Sequence, residues 1–227
     1  STPKPSSAAS DVYKRQYQDM SVPQIVEKIL RERHSMRGQD FLFSLAKEYP
    51  RREQVMQYGE DDLHFITRLL GEAGIWFRFT TDMRLNIDVV EFYDGQQGYE
   101  KGLTLPSVPP SGQHSEGVDS VWGMESHHNV VQKQVSTRDY NYRQATEDMN
   151  TRVDVTRGDA TTYGDAYHYA DNYLTPGSHY DRNPAPESGA FFARIRHERY
   201  LNGQTQTRAI TSCPTLAPGQ VLRVTGG

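Results

Sequence analysis

Between Tyr49 and Phe79 the hydrophobic period changes twice within one stretch, YPRREQVMQYGEDDLHFITRLLGEAGIWFRF. A single regular element has one period, two residues for a strand and 3.6 for a helix. The stretch must therefore fold as strand, helix, strand. Val55 and Met56 lie in a short apolar run ending at Tyr58-Gly59. Glu60, Asp61 and Asp62 follow, placing negative charge where the positive end of a helix dipole favours it. Leu63, Ile66, Leu70 and Ala73 recur at helical spacing, and Phe65 and Leu69 widen that apolar stripe. Gly74 stands where a left-handed residue closes a helix. Ile75, Phe77 and Phe79 then alternate with Trp76, Arg78 and Thr80, the period of a half-buried strand.

The flanks extend the same alternation of types. Ser21-Val22-Pro23-Gln24 is a capping box, with Ser at N-cap, Gln at N3 and Pro in the first turn, where its missing N–H is harmless. Ile25, Val26, Ile29 and Leu30 form one stripe, and the spacing predicts a helix of about 14 residues ending near Gly38. Asp40–Ala46 is a strand candidate through Phe41, Phe43 and Leu45, and Thr80–Arg84 turns the chain into a hairpin continued by Leu85, Ile87 and Val89. The expected class is α+β with mainly antiparallel strands.

Residues 1–16 lack hydrophobic periodicity, and SAASDVYKRQ resembles a translated sequencing-adapter read-through, so they read as a tail that is disordered or foreign to the fold. Residues 17–93 form an expected α+β subdomain. Gly, Pro and Ser dominate 94–117, which reads as a long loop. Residues 118–227 read as a β region. Within it Tyr167, Tyr169, Asp171 and Tyr173 would share one strand face, and 187–201 would form a helix with Phe192, Ile195 and Arg199 on one side. Thr205–Ser212 and Gln220–Thr225 are the last two strands.

The search for chemistry is unproductive. A net charge of −4 argues against nonspecific nucleic-acid binding. No apolar run approaches the roughly 18 residues of a membrane helix, so no stable membrane insertion is expected. The single cysteine, Cys213, excludes an internal disulfide or a multi-thiolate zinc site. Asp61-Asp62 cannot act as an acid/base pair, because adjacent helical residues diverge by about 100°. His127-His128 would face opposite sides of a strand. Asp165, His168, Asp171 and His179 form a polar, Tyr-rich segment whose sharper readings are a carbohydrate-binding strip or a hydrolytic cluster. Cys213 with His197 is a conceivable nucleophile pair, though a packed small residue explains Cys213 as well. No phosphate-binding glycine loop is present. No catalytic residue, metal or cofactor is expected.

The residues do carry a family resemblance. Tyr17-Gln18-Asp19-Met20-Ser21-Val22-Pro23-Gln24-Ile25 resembles the opening of the VgrG spike proteins of type VI secretion systems. Tyr49, Pro50, Arg52, Glu53, Gln57, Tyr58, Asp62, Phe65, Leu69 and Gly74 lie in the run most similar to that family. Arg138-Asp139-Tyr140-Asn141-Tyr142, Arg194-Ile195-Arg196 and Leu216-Ala217-Pro218-Gly219 resemble its later segments. The resemblance implies a structural part, not an enzyme: the hub of a phage-tail-like spike, with barrel-type tube domains and an α+β insertion. It implies a homotrimer seated on the hexameric Hcp tube within a baseplate, with a needle, a PAAR tip and effector proteins carried by regions beyond this sequence. The sequence then reads as an internal fragment of such a protein, cut within its second tube domain. Tyr140, Tyr142, Tyr167 and Tyr169 are the candidate subunit-contact residues. The alternatives are the baseplate hub of a contractile phage tail and, from another class, a glycan or cell-wall hydrolase built on Asp165, His168 and Asp171.

Overall fold

The computed structural model describes residues 13–109, 117–139, 149–156, 161–169, 173, 175–177 and 181–226. Tyr140, Tyr142, Asp171 and His179 lie outside these residues. The chain divides into two units, Ser1–Asp94 and Gly95–Gly227.

In the first unit the order is β1 (Tyr13–Met20), α1 (Val22–His34), β2 (Phe41–Ser44), β3 (Arg52–Glu60), α2 (Asp62–Ala73), β4 (Trp76–Asp82) and β5 (Ile87–Tyr93). The capping box is made: the Ser21 backbone N–H donates to Gln24 Oε1 at 2.9 Å. Helix α1 closes at Ser35, whose φ of 53° puts its N–H within reach of the Leu30 carbonyl. Helix α2 is capped by Asp61, which accepts the His64 N–H at 2.8 Å. It ends at Gly74, with φ 70°. Strands β1 and β3 form an antiparallel ribbon, while β2, β5 and β4 form a sheet with β5 in the centre. One core joins both helices to both sheets through Val22, Ile25, Val26, Ile29, Phe41, Val55, Phe65, Leu69, Leu70 and Phe92. Tyr17 stacks on Phe65 with ring centroids 5.6 Å apart.

Three expectations need correction here. The supposed tail ends earlier than Gln16, because Tyr13–Met20 is one strand whose Lys14, Arg15 and Gln16 pair with Tyr58, Gln57 and Met56 of β3. Leu63 belongs to the apolar spacing yet is 69% exposed, because the face of α2 that meets the core is centred on Phe65, Leu69 and Ala73. Strand β4 keeps its alternation, but Arg78 is buried and Phe79 is exposed. On one face Arg78 donates from Nε to Glu91 at 2.8 Å and from a terminal nitrogen to Tyr93 Oη at 3.3 Å. On the other, Phe77 reaches the core and Phe79 does not.

The second unit runs through a 3-10 turn (Gln96–Gly98), β6 (Glu100–Pro106), β7 (Val121–His128), β8 (Gln134–Arg138), β9 (Asn150–Val153), β10 (Asp165–Tyr169), α3 (Gly189–Asn202), β11 (Thr205–Thr211) and β12 (Gln220–Thr225). Its sheets are β10-β8-β9, β11-β7 and β12-β6. The 94–117 stretch is therefore no continuous loop. Leu103 and Leu105 of β6 pair in parallel register with Leu222 and Val224 of β12, and the strand bends at Gly102, where φ is 105°. Counted over the described residues, four strand pairings are antiparallel and three are parallel, and these small sheets do not close into a barrel.

Helix α3 is capped by Ser188 and covers β8 and β9, with Ala193 against Val135 and Val153 and with Phe192 against Met149 and Tyr173. The expected stripe of Phe192, Ile195 and Arg199 holds only at Phe192; the buried set is Gly189, Ala190, Phe191, Phe192, Ala193 and His197. The first turn is inserted on all sides, so small residues rather than a narrow stripe mark it. A Cβ at Gly189 would stand 2.7 Å from the Tyr173 ring and from Thr151 Oγ1, so only glycine admits this approach.

Phe65 and Leu63 give a direct test of this packing. Phe65→Ala should cost about 3–5 kcal/mol of first-unit stability, whereas Leu63→Ala should stay within about 0.5 kcal/mol. Urea unfolding followed by amide exchange in α2 measures both, and equal losses would refute the assigned core face.

Candidate assembly framework and exposed tyrosine face

The residues singled out between Tyr49 and Gly74 fold into a framework internal to the first unit. Phe65 and Leu69 have no solvent exposure, and Gly74 closes α2. Tyr49 donates from its hydroxyl to Asp94 Oδ2 at 3.2 Å. The same carboxylate accepts the backbone N–H groups of Ala46 and Lys47 at 2.9 Å, tying the connection after β2 to the end of β5. Asp94 carries no periodicity or motif signal, and the sequence reading missed it. Pro50 and Glu53 are exposed, and the Tyr58 ring lies on the outer face of β3, with Lys14 Nζ 4.9 Å from its centroid.

Two charge networks fasten α2. The inner one centres on Asp62, which is 8% exposed. Gln57 Nε2, itself fully buried, donates to Asp62 Oδ1 at 2.9 Å. Asp62 Oδ2 meets Arg33 Nε at 2.5 Å and His34 Nε2 at 3.0 Å. Burial alone would raise the Asp62 pKa. The hydrogen bonds from Gln57 and His34 and the Arg33 charge outweigh burial and hold it below the usual carboxylate value. The outer network runs from β3 to α2: Arg52 to Glu72 at 2.8 Å, Glu72 to Arg68 at 3.1 Å and Arg68 to Glu60 at 2.6 Å. The hydrogen bond to Glu60 is the main reason the Arg68 pKa lies above its ordinary value.

The reactive groupings considered from sequence come apart. Asp61 is a helix cap and Asp62 an ion-pair centre, with separate partners. His128 Nδ1 lies 3.1 Å from Thr205 Oγ1, and His127 Nε2 lies 3.7 Å from Glu125. Both nitrogens of His197 are engaged by backbone groups, Val155 N–H and the Gln132 carbonyl. Cys213 packs with Leu105 and Val121 in a different cluster. Asp165 accepts the Ser136 hydroxyl at 2.8 Å, and His168 contacts Tyr200 and Arg196. The two are an odd number of residues apart on β10 and so face opposite sides.

The tyrosine strip also divides. Tyr167 and Tyr169 are each 62% exposed on one face of β10. Tyr173 is 2% exposed and donates its hydroxyl to the Met149 carbonyl. A pair of exposed rings on a strand suits a protein contact, because each buries large area with few rotatable bonds.

Comparison with known proteins agrees with a structural framework. The family described as "Phage tail baseplate hub (GPD)" matches residues 4–227. The type VI secretion system spike protein VgrG1c of Pseudomonas aeruginosa is 26% identical over 185 residues, covering 80% of this chain and 25% of that protein. VgrG4b of the same organism is 48% identical over 65 residues, 29% of this chain and 8% of that protein. Among solved structures, the E. coli c3393 protein, described as a type VI secretion component similar to the T4 bacteriophage tail proteins gp27 and gp5, superposes with a TM-score of 0.61. It is 42% identical, and the match covers 96% of this chain and 42% of that one. The chain spans about a quarter of the length of the curated relatives it matches most broadly.

The inner network sets an acid limit on the first unit. The folded pKa of Asp62 is depressed, so its contribution is complete above the unfolded value of about 3.9 and is lost as pH falls through the lower folded value. Asp62→Asn should remove about 3 kcal/mol at pH 7 by leaving Arg33 uncompensated. It should also flatten the fall in stability below about pH 4. Urea midpoints against pH for both proteins measure this, and parallel acid profiles would exclude Asp62 as the source.

Proposed function

The chain belongs to the phage tail baseplate hub family, and from that premise we propose that it is the hub region of a type VI secretion spike. The 42% identity and TM-score of 0.61 with a type VI component over nearly the whole chain carry this reading. In it, the protein is non-enzymatic and acts by shape. Three copies form a ring that caps the hexameric Hcp tube within the baseplate, and the rest of the protein supplies the needle, the PAAR tip and the effector connections. The particle is assembled in the bacterial cytoplasm and then secreted or injected into target cells. The first unit, from β1 to Asp94, is the α+β insertion that braces the tube, and 118–227 contribute tube-domain strands. A ring of heterologous contacts that closes at three copies meets the symmetry requirement.

The framework around Asp62 supports a brace. Gln57 of β3 and Arg33 and His34 of α1 hold the start of α2 through Asp62, and in the second unit Tyr167 and Tyr169 are accessible anchors for a neighbouring subunit. A contractile phage tail hub is the second reading, favoured by the family description itself. Retention of Hcp by the full-length protein separates the two.

The full-length protein should sediment as a trimer and retain Hcp on an affinity column. A monomer that passes Hcp tubes without binding would overturn the proposal. Tyr167→Ala with Tyr169→Ala should weaken the trimer by about 1–2 kcal/mol for each ring, seen as a dissociation constant raised about tenfold or more in sedimentation equilibrium. An unchanged constant would remove these two tyrosines from the subunit contact while leaving the hub assignment to the Hcp experiment.

A further inference from the structure

Strand β1 pairs with β3 and, among the described residues, with no other strand. Alternate residues of such a strand turn their N–H and C=O groups away from the sole partner, so β1 presents a row of them along its outer edge. A cleft of about 430 Å³ is lined by β1 and α1, and its lining includes no residue of β3. On the strand it touches four consecutive residues, Arg15, Gln16, Tyr17 and Gln18. Successive side chains of a strand point to opposite faces, so a cleft that reaches all four runs along the outer edge of β1 rather than over one face. The regular edge ends at Asp19, where φ is 51°. Ile29 and the Tyr17 ring, both buried, give the cleft an apolar floor. Its walls are basic: Arg15 from β1 and Lys28 and Arg33 from α1 stand with one carboxylate, Glu32.

We propose that this cleft binds an extended acidic segment of a partner protein, which adds to β1 as a third strand of the β1–β3 ribbon. Strand addition combines main-chain hydrogen bonds with contacts to alternate side chains. The edge of β1 supplies the first and the walls of the cleft the second. Charge selects the partner. The chain as a whole carries −4, yet the cleft is positive. Arg33 is held by Asp62 at 2.5 Å, a carboxylate outside the lining, and its charge is balanced there. Arg15 and Lys28 then remain over Glu32 as the positive excess. Arg15 is steadied by its hydrogen bond with the Tyr17 hydroxyl, so its charge is in place before a partner arrives. Lys28 meets Glu32 at 3.7 Å with both side chains largely exposed, and an ion pair of that kind contributes little. An entering carboxylate can therefore draw Lys28 from Glu32 at small cost. A basic segment would meet like charge, and an apolar one would cover the cations without pairing them.

A blocked hexapeptide alternating glutamate and threonine tests this on the intact chain. Added to nitrogen-15-labelled protein, it should shift the amides of residues 15–18 and 28–33 and slow exchange at alternate β1 amides. The same peptide with lysine in place of glutamate should leave them unmoved. N-methylation separates strand addition from ionic attraction, because it removes backbone donors from the peptide. On one alternate set of peptide residues it should abolish binding, and on the other it should be tolerated, since the glutamates hold the register. Lys28 is exposed on α1, so its substitution spares the core. Lys28→Glu should raise the dissociation constant of the peptide about tenfold, and Lys28→Arg should leave it nearly unchanged. Equal binding by the two methylated peptides would leave ionic attraction alone and overturn the proposal. So would an absence of shifts at residues 15–18. Outer-edge amides of β1 that exchange slowly before any peptide is added would assign the edge to the chain itself and overturn it as well.

Discussion

A carboxylate removed from water is tolerated only among donors and positive charge, and Asp62 imposes that condition on the first unit. Its partners come from two segments, Arg33 and His34 from the end of α1 and Gln57 from β3, and bind both to the start of α2. The apolar contacts that join these segments, such as Tyr17 with Phe65, are non-directional. The Asp62 cluster is directional and fixes how far α1 may slide along α2. Its placement at the first residue of α2 adds the helix dipole to the same side of the balance.

The second unit solves a different problem. Its sheets have two or three strands, and an isolated two-stranded ribbon is marginal in water. Helix α3 supplies the missing layer for β8 and β9, using Phe192, Ala193 and the His197 ties to close it. The β7–β11 ribbon is exposed along most of both strands, with Met124 and Ile210 largely open. Ribbons of that kind gain stability from neighbours, and the proposed ring provides neighbours at each contact.

The parts of this fold most legible in sequence were those where local signals coincide. At Ser21–Gln24 and Asp61–Gly74, caps, charge and periodicity all select the same helix, and both helices form there. Periodicity says which residues can share a face but not where a partner ends. Leu63 and Phe79 both fit the pattern, yet each lies beyond the reach of the opposing layer and is exposed. Arg78 shows the reverse: its burial depends on Glu91 and Tyr93 across the hairpin, a pairing no local window contains. Strand β6 was hidden for the same reason, since Gly102 and Pro106 resemble loop punctuation until β12 supplies its register. Among the candidate sites, Cys213 and His197 could be named from residue type, but only tertiary contacts assign them to separate clusters.

The framework also explains why a protein of this family can be rich in surface charge without losing rigidity. A single exposed ion pair contributes little, because water competes for both ends and two long side chains must be held still. In the outer network the pairs share members: Arg68 bridges Glu60 and Glu72, and Glu72 also holds Arg52. Once Arg68 is fixed by Glu60, the entropy of placing it for Glu72 has already been lost, so the later contacts cost less than the first. Arg52 and Glu60 stand at opposite ends of β3, and Arg68 and Glu72 are one turn apart on α2. A force along β3 is therefore resisted at both ends by charge-assisted contacts, while Phe65 and Leu69 resist separation at its centre. That division of labour, direction from charge and cohesion from apolar contact, is what the proposed brace requires.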